Sequence, residues 1–341
     1  MKKLTCLAAL LLLLTQSCTT DFEVNGTWKP ITIVYGIINQ NDSLSRIKIN
    51  KAFLGEGDAL QMAMNRDSNE YPYKLDVRIQ EWANGQLVKT FPFDTMRVAD
   101  KAEGPFYYPV QTIYAANTLN QLNQERTYKL LIDNPVTGES FMAETGLVYP
   151  FTVDKPKPTQ SIIDFSEEGS TAVEWRTGKN GRRYQLMIRF NYKELPLSGG
   201  TDTVFKSMDW LFPAYKSTTL NGNEEMNLSY SNPFFYDLVK ARIPADPQLR
   251  RFFGKKGYGE NDSWVVEFFF SVASDEFSTY LDVFEPSTGI IQEKPQFTNL
   301  SSIPEGSAEV LGIFSSRYQV IRKFKLGDLT KQKIQSLNLG F

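Results

Sequence analysis

The sequence has no histidine and little cysteine. Among its 341 residues, only Cys6 and Cys18 are cysteines, and both lie near the N-terminus. Without histidine, the protein cannot form Ser-His-Asp or Cys-His nucleophile arrangements, or zinc and iron sites that use imidazole. Carboxylate-pair glycosidase chemistry, Ser-Lys arrangements and oxygen-ligand Ca²⁺ or Mg²⁺ sites remain possible. This composition favours a protein that is not an enzyme.

The sequence also has no concentrated positive charge and no phosphate-binding glycine motif. Its 37 basic residues are balanced by 39 acidic ones, and no basic block stands out, so we expect no nucleic-acid partner. Neither G-x-G-x-x-G nor G-x-x-x-x-G-K-[ST] occurs, so no nucleotide cofactor is indicated. After residue 18, no apolar run reaches the length of a membrane-spanning helix. We expect neither a cofactor nor a metal.

The first residues have the pattern of a bacterial lipoprotein signal. Two lysines precede an apolar run over residues 4–14, and the small residue Ser17 stands directly before Cys18. We predict a signal peptide over 1–17, a lipidated Cys18 carrying acyl chains such as palmitate, and a tether over 18–27. Several acyl chains on one cysteine would anchor the protein stably. The alternative is ordinary secretion with an incidental cysteine.

Acidic residues follow the lipidated cysteine closely. Asp21 and Glu23 resemble the surface-export signal of Bacteroidota lipoproteins. This resemblance implies a location on the outer membrane, facing the cell exterior. With Cys6 removed and Cys18 lipidated, the mature chain contains no disulfide.

Short β-strand patterns dominate the rest of the chain. The patterns cover residues 31–38, 45–51, 74–79, 127–132, 140–143, 171–175, 183–192 and 265–272. Asn84-Gly85 and Asn180-Gly181 supply hairpin-type turns. We predict a mainly β protein with two antiparallel β-sandwich domains of the immunoglobulin or fibronectin type.

A polar, proline-spaced segment predicts the domain boundary. The N-terminal β-sandwich domain is predicted over 28–152, the linker over 153–160 and the C-terminal β-rich domain over 161–341. Helices are expected only in the second half. Capping residues and prolines place them at about 232–243, 275–284 and 329–337.

An aromatic-rich stretch is the candidate ligand-binding site. The aromatic side chains that could stack on a glycan or grip a peptide are Trp210, Phe212, Tyr215, Tyr236 and Tyr258. The alternative, which we consider more common for such residues, is that these rings form the core of the second domain.

Three weaker motifs indicate possible catalytic, metal-binding or modification sites. Asp202, Asp209, Glu224 and Glu225 could supply a glycosidase carboxylate pair, although solvated carboxylates are far more common. Residues 65–70 carry oxygen ligands at alternate positions but lack the rest of a calcium loop, which favours a plain polar loop. The Asp-Ser/Thr-apolar acceptor pattern for O-glycosylation occurs at Ser43, Thr95 and Thr203.

Two longer stretches carry a family resemblance. They are Val34-Tyr35-Gly36-Ile37-Ile38 followed by residues 47–55, and Phe297-Thr298-Asn299-Leu300 followed by residues 311–316. They resemble a large family of uncharacterised Bacteroidota outer-membrane lipoproteins, which are often encoded beside TonB-dependent transporters. Physically, we interpret Thr298-Asn299 as a turn whose side chains bond the backbone, and Gly312 as a point of close strand packing.

The function we expect is therefore non-enzymatic. The protein would be an accessory surface lipoprotein that binds an extracellular glycan or peptide, or that partners a TonB-dependent outer-membrane transporter. The first alternative is a structural or adhesive surface component. The second is a carboxylate-dependent glycoside hydrolase.

Overall fold

The computed structural model describes residues 31–52, 58–198, 203–254, 264–284 and 297–341. The predicted signal peptide, the tether over 18–27 and Cys18 lie outside these ranges. So do Asp202 and Tyr258. Within the described ranges, the fold is mainly β, as the strand patterns predict.

Seventeen strands are described. In the first half they are β1 (Ile31–Ile38), β2 (Leu44–Lys51), β3 (Asp76–Ala83), β4 (Gln86–Val98), β5 (Gln111–Asn117), β6 (Thr127–Asp133) and β7 (Ser140–Gly146). In the second half they are β8 (Thr152–Lys155), β9 (Ile162–Ile163), β10 (Ser170–Arg176), β11 (Arg183–Pro196), β12 (Val204–Lys216), β13 (Glu225–Ser231), β14 (Leu249–Phe253), β15 (Val266–Ala273), β16 (Ser301–Ile303) and β17 (Glu309–Leu326).

Five helices are described, and their positions correct one expectation. They are α1 (Ala59–Met64), α2 (Arg66–Asn69), α3 (Asn232–Arg242), α4 (Asp275–Phe284) and α5 (Asp328–Ser336). The last three confirm the predicted helices. The first two lie in the N-terminal half, where none was expected, because Asp58 and Asn65 each cap a turn by accepting a backbone N–H.

The strands form one 14-stranded sheet and one three-stranded sheet. The main path of the large sheet runs β12-β11-β15-β17-β1-β2-β5-β4-β3-β6-β7-β16, and the small sheet is β13-β10-β8. The large sheet is mixed, because β17 pairs in parallel with β1 and with β9. The other pairs between the described strands are antiparallel, as predicted, so the two parallel pairs are the departure from that prediction. Strand pairing between distant segments leaves no signal in the local sequence, so the parallel pairs could not be predicted.

Two long strands change partners along their length. β4 pairs with β3 up to Phe93 and with β5 from Asp94 onward. β17 pairs with β1 up to Ser316 and with β15 from Arg317 onward. Each switch turns the sheet, so that its buried faces can enclose hydrophobic side chains.

The buried apolar side chains form two cores. One is made mostly by β1 to β7, and the other by β8 to β15 together with the end of β17. In the second core, side chains of the small sheet, such as Trp175, pack with side chains of the large sheet, such as Phe270. The second core is therefore built between two sheets.

Sheet pairing joins the two halves of the sequence. β1 pairs with β17 from Ile31↔Glu309 to Ile38↔Ser316, and Val310 and Phe314 of β17 lie in the first core. The predicted linker, 153–160, begins inside β8, which pairs with β10. Residues 152–155 are thus part of a sheet rather than a free connector.

The turn at Asn180-Gly181 does not close the predicted hairpin. β10 pairs with β13 and β8, and β11 pairs with β12, β14 and β15. The turn instead carries the chain from the small sheet to the large one. The hairpin predicted at Asn84-Gly85, β3–β4, is confirmed, and β6 and β7 form a second hairpin.

One tyrosine in each core bonds back to the chain just before its strand. The Tyr128 hydroxyl accepts from the Asn123 N–H at 2.6 Å and donates to the Asn123 carbonyl at 3.1 Å. The Tyr184 hydroxyl accepts from the Gly178 N–H at 2.8 Å and donates to the Gly178 carbonyl at 3.3 Å. Each tyrosine is the second residue of its strand. In both cores, the tyrosine hydroxyl therefore fixes the loop that precedes its strand.

Near the C-terminal motif, the side-chain bonds to the backbone and the close packing at Gly312 are confirmed, but Thr298 lies in a parallel bridge with Gly312 rather than in a turn. The Asn299 amide donates to the Phe314 carbonyl at 2.6 Å and accepts from the Phe314 N–H at 2.9 Å, while the Thr298 hydroxyl accepts from Leu300 N–H. Gly312 has φ +112°, and a Cβ there would lie 1.9 Å from the Val34 carbonyl oxygen. Only glycine fits this contact between β17 and β1.

Candidate functional site

A cleft in the N-terminal half is the candidate functional site. Its volume is about 230 Å³, and we call it the Tyr71 cleft. It is lined by Ile49, Arg66, Glu70, Tyr71, Pro72, Tyr73, Lys74, Thr95, Arg97, Thr112 and Tyr114. Aromatic rings and charged groups thus face the same space.

The floor of the cleft is one face of the β4–β5 pair. Thr95 lies opposite Tyr114, and Arg97 lies opposite Thr112. Residues two apart on a strand share a face, so Thr95 and Arg97 on β4 point to the same side. Both side chains are exposed.

The other wall is the segment from Arg66 to Lys74, which Glu70 fastens to the sheet. One Glu70 oxygen accepts from the Thr112 N–H at 2.9 Å and from Lys48 Nζ at 3.0 Å. The other accepts from the Thr112 hydroxyl at 2.8 Å. Lys48 also donates to the Thr112 carbonyl at 2.9 Å, so Glu70 is held between β2 and β5.

Burial acts to raise the pKa of Glu70, but the hydrogen bonds from Thr112 and Lys48, with the Lys48 charge, outweigh it and lower the pKa below its ordinary value. Glu70 is therefore an ionised structural group near neutral pH. A carboxyl with a lowered pKa and both oxygens occupied is unsuited to act as a general acid.

Three tyrosines shape the apolar part of the cleft. The Tyr71 hydroxyl is 2.8 Å from the Thr32 hydroxyl, and the Tyr114 hydroxyl accepts from the Leu75 N–H at 2.9 Å. The rings of Tyr71 and Tyr73 lie 5.7 Å apart. Tyr73 is half-buried, and its hydroxyl has no hydrogen-bond partner among the described residues. The Tyr73 hydroxyl is thus available to a ligand.

The predicted aromatic site is mostly core. Trp210 and Phe212 are 8% exposed and Tyr236 is 5% exposed. The Trp210 ring packs against the rings of Phe212 and Tyr230. These three predicted residues therefore have little surface to offer a ligand, which agrees with the packing alternative. Tyr215 is 38% exposed and contacts the Trp175 ring.

The predicted carboxylates have structural partners. Asp209 forms a two-point ion pair with Arg189 at 2.6 and 2.7 Å. Glu224 accepts from the Thr218 N–H at 2.8 Å, and Glu225 pairs with Arg176 at 2.6 Å. Over the part of the chain that the structure describes, no cluster of three or more metal-binding side chains occurs. Residues 66–69, in the predicted polar loop, form helix α2.

The predicted O-glycosylation residues differ in exposure. Ser43 and Thr95 are exposed, whereas Thr203 is half-buried. Thr95 also lines the Tyr71 cleft. In the described ranges, no helix is long and apolar enough to cross a membrane.

A larger cavity lies between β14 and α5, with a volume of about 510 Å³. Some of its lining side chains already have structural contacts. Arg251 is buried against Glu194 at 2.9 Å, and the rings of Phe253 and Phe341 stack 5.0 Å apart. The Tyr71 cleft differs from this cavity in bringing three tyrosine rings together with its charged groups.

Comparisons with known proteins identify no family. No family model matches the sequence, and no curated protein matches it. Among solved structures, the chain is similar to the C-terminal globular domain of an oligosaccharyltransferase from Pyrococcus abyssi, at 10% identity and a TM-score of 0.18. That match covers 63% of this chain and 43% of the other chain. A TM-score this low supports no inference about the fold or the function of this protein.

Sequence patterns missed the Tyr71 cleft because its walls come from separate segments. The available signal was the pair of tyrosines flanking Pro72, directly after the polar residues 65–70. Tyrosines beside a proline at a strand entrance are a weak sign of a site. The partners Thr95, Arg97 and Thr112 come together only through strand pairing.

Proposed function

We propose that this protein is a non-enzymatic lipoprotein on the outer face of the outer membrane, which binds an extracellular glycan or peptide in the Tyr71 cleft. The observation that carries the proposal is the cleft itself, which combines half-buried tyrosine rings with polar and cationic groups on a fixed sheet face. Such a combination is typical of ligand sites. The signal-peptide pattern, Cys18 and the family resemblance support the location.

A glycoside hydrolase is less well supported. Hydrolysis by the usual mechanism needs two carboxyl groups on either side of the sugar. The described lining of the cleft has one carboxylate, Glu70, and its oxygens are occupied by Thr112 and Lys48.

One observation supports an adhesive role. β12 ends the path of the large sheet and is 13 residues long, so it offers a long edge. However, Pro213, Lys206 and Lys216 lie on this strand, and Arg242 donates to the Asp209 carbonyl at 2.6 Å. Proline, lysine and side-chain coverage are typical protections against edge pairing, which favours ligand binding instead.

The finer fold proposal is that each half is related to the immunoglobulin or fibronectin sandwich. The two cores support this relation. So do the hydrogen bonds from Tyr128 and Tyr184 to the backbone upstream, which resemble the tyrosine corner of such sandwiches. The family resemblance further suggests a TonB-dependent transporter as the partner that receives the bound ligand.

The binding proposal can be tested with a soluble protein covering residues 19–341. Glycan and peptide arrays should identify a ligand whose binding weakens at least tenfold in Tyr73→Ala, because that ring and its free hydroxyl face the cleft. Tyr35→Ala, an exposed tyrosine of β1 outside the cleft, is the matched control. Ligand binding that is equal in both variants would place the site elsewhere, and absence of binding to any array member would contradict the proposal.

The location can be tested by changing Cys18→Ala. This variant should lose incorporation of a fatty-acid analogue and leave the membrane fraction, because Cys18 is the proposed attachment residue. External protease should digest the wild-type protein on intact cells. Continued lipid labelling of the variant would disprove the anchor, and protection from protease would disprove the outward orientation.

A further inference from the structure

The charged groups around the Tyr71 cleft are unequally paired. Glu70 is paired with Lys48 at 3.0 Å, Lys74 with Asp94 at 2.7 Å, and Arg66 with Asp67 at 3.4 Å. Arg97 lines the cleft and is exposed, but within the described residues it has no hydrogen bond or ion pair. Once these pairs are formed, the cleft keeps one positive charge.

We infer that the Tyr71 cleft selects an acidic sugar, whose carboxylate binds Arg97 while its ring packs against Tyr73. This inference rests on the proposed binding function and names the ligand class. A guanidinium presents parallel N–H donors that match the two oxygens of a carboxylate. An aromatic ring presents a flat apolar surface that suits the C–H face of a pyranose.

The arrangement of the two groups favours a sugar over a peptide. A uronic acid carries its carboxylate directly on the ring, so anion and apolar face lie within one compact unit. The cleft volume of about 230 Å³ suits such a unit rather than a folded peptide segment. The free Tyr73 hydroxyl can bond a sugar hydroxyl, and the exposed Thr95 lies on the same strand face as Arg97.

The wall that carries Tyr73 is fastened to the floor that carries Arg97, and this contact does not depend on the ligand. Glu70, Lys48 and Thr112 form their network within the chain, and Thr112 lies directly across from Arg97. Groups fixed before binding lose little freedom when the ligand arrives. Arg97 itself remains available because the anions nearby are already paired.

The experiment compares acidic and neutral oligosaccharides of equal length by isothermal titration calorimetry. The acidic probes are galacturonate trimers and short hyaluronan oligomers, and the neutral probes are galactose and glucose trimers. We expect at least tenfold tighter binding of an acidic probe, with the difference shrinking as salt rises. Arg97→Ala should remove this preference, Arg97→Lys should restore part of it, and Arg46→Ala, an exposed arginine of β2 outside the cleft, should leave it unchanged.

The outcomes separate this inference from the proposed function. Equal binding of acidic and neutral sugars, lost in Tyr73→Ala, would overturn the acidic preference while keeping the binding function. An acidic preference that survives Arg97→Ala would overturn the role of Arg97. Tetraglutamate is titrated as an acidic peptide probe, and tighter binding of it than of any sugar would overturn the inference that the ligand is a sugar. Failure of all sugars and peptides to bind would overturn the proposed function as well.

Discussion

At the residue scale, burial decides what the aromatic side chains of β12 do. The strand alternates between the core and the surface, so Trp210 is 8% exposed and its neighbour Leu211 is 62% exposed. The same strand therefore contains a core residue and a surface residue next to each other. An aromatic-rich sequence alone does not distinguish core from binding surface, because aromatic rings serve both.

Replacing Trp210→Ala should lower the free energy of unfolding by about 3–5 kcal/mol, because a large buried ring is lost and a cavity remains. The matched change Leu211→Ala should alter it by about 0.5 kcal/mol or less, as exposed substitutions usually do. Urea denaturation followed by circular dichroism measures both values. A small loss for Trp210→Ala would mean that the ring is not part of the core.

At the element scale, β17 depends on one glycine. Gly312 has φ +112°, lies opposite Val34 in the register with β1, and leaves no space for a Cβ. Next to it, Asn299 takes the place of a strand partner by pairing with both backbone groups of Phe314. The sequence indicated both features, because glycine and asparagine are the residues that such positions require.

Gly312→Ala should destabilise the protein by at least about 3 kcal/mol, at the upper end of single substitutions, because the added methyl group collides with the Val34 carbonyl. Gly85→Ala is the matched control. Gly85 also has a positive φ of +76°, but nothing lies within 4 Å of its added Cβ, so the cost there should be about 1–2 kcal/mol. Equal thermal shifts in the two variants would contradict the close contact with Val34.

At the scale of the whole molecule, the two cores are distinct but the sheet is shared. The first core takes Leu300, Val310 and Phe314 from the far end of the chain. β8 belongs to the small sheet although it precedes the predicted C-terminal domain. The two halves are therefore tied together by strands that cross between them.

A cut between Asp154 and Pro158 should leave an N-terminal fragment that does not fold alone, because it lacks β17, the parallel partner of β1. The two fragments should recover β-type circular dichroism and cooperative unfolding when they are refolded together. Cooperative unfolding of the isolated N-terminal fragment would show that its core does not need residues 300–316, and would support separate domains.

The sequence alone determined about half of the described elements, namely eight of the seventeen strands and three of the five helices. Residues 31–38 and 127–132 are strands, and α4 spans the predicted residues 275–284, because alternation, capping and proline act over a few neighbouring residues. The β3–β4 turn was also predictable, since Asn84 and Gly85 both accept a positive φ. The absence of histidine excluded imidazole chemistry without any structure.

Only the tertiary structure decided which elements lie together. The parallel pairing of β1 with β17, the burial of Trp210 and the meeting of Tyr73 with Arg97 in one cleft all join segments far apart in sequence. Local propensity carries no information about such partners, because their contacts depend on how the whole sheet turns and closes over its cores. The candidate site therefore becomes visible only when strand order brings β4, β5 and the segment after α2 together.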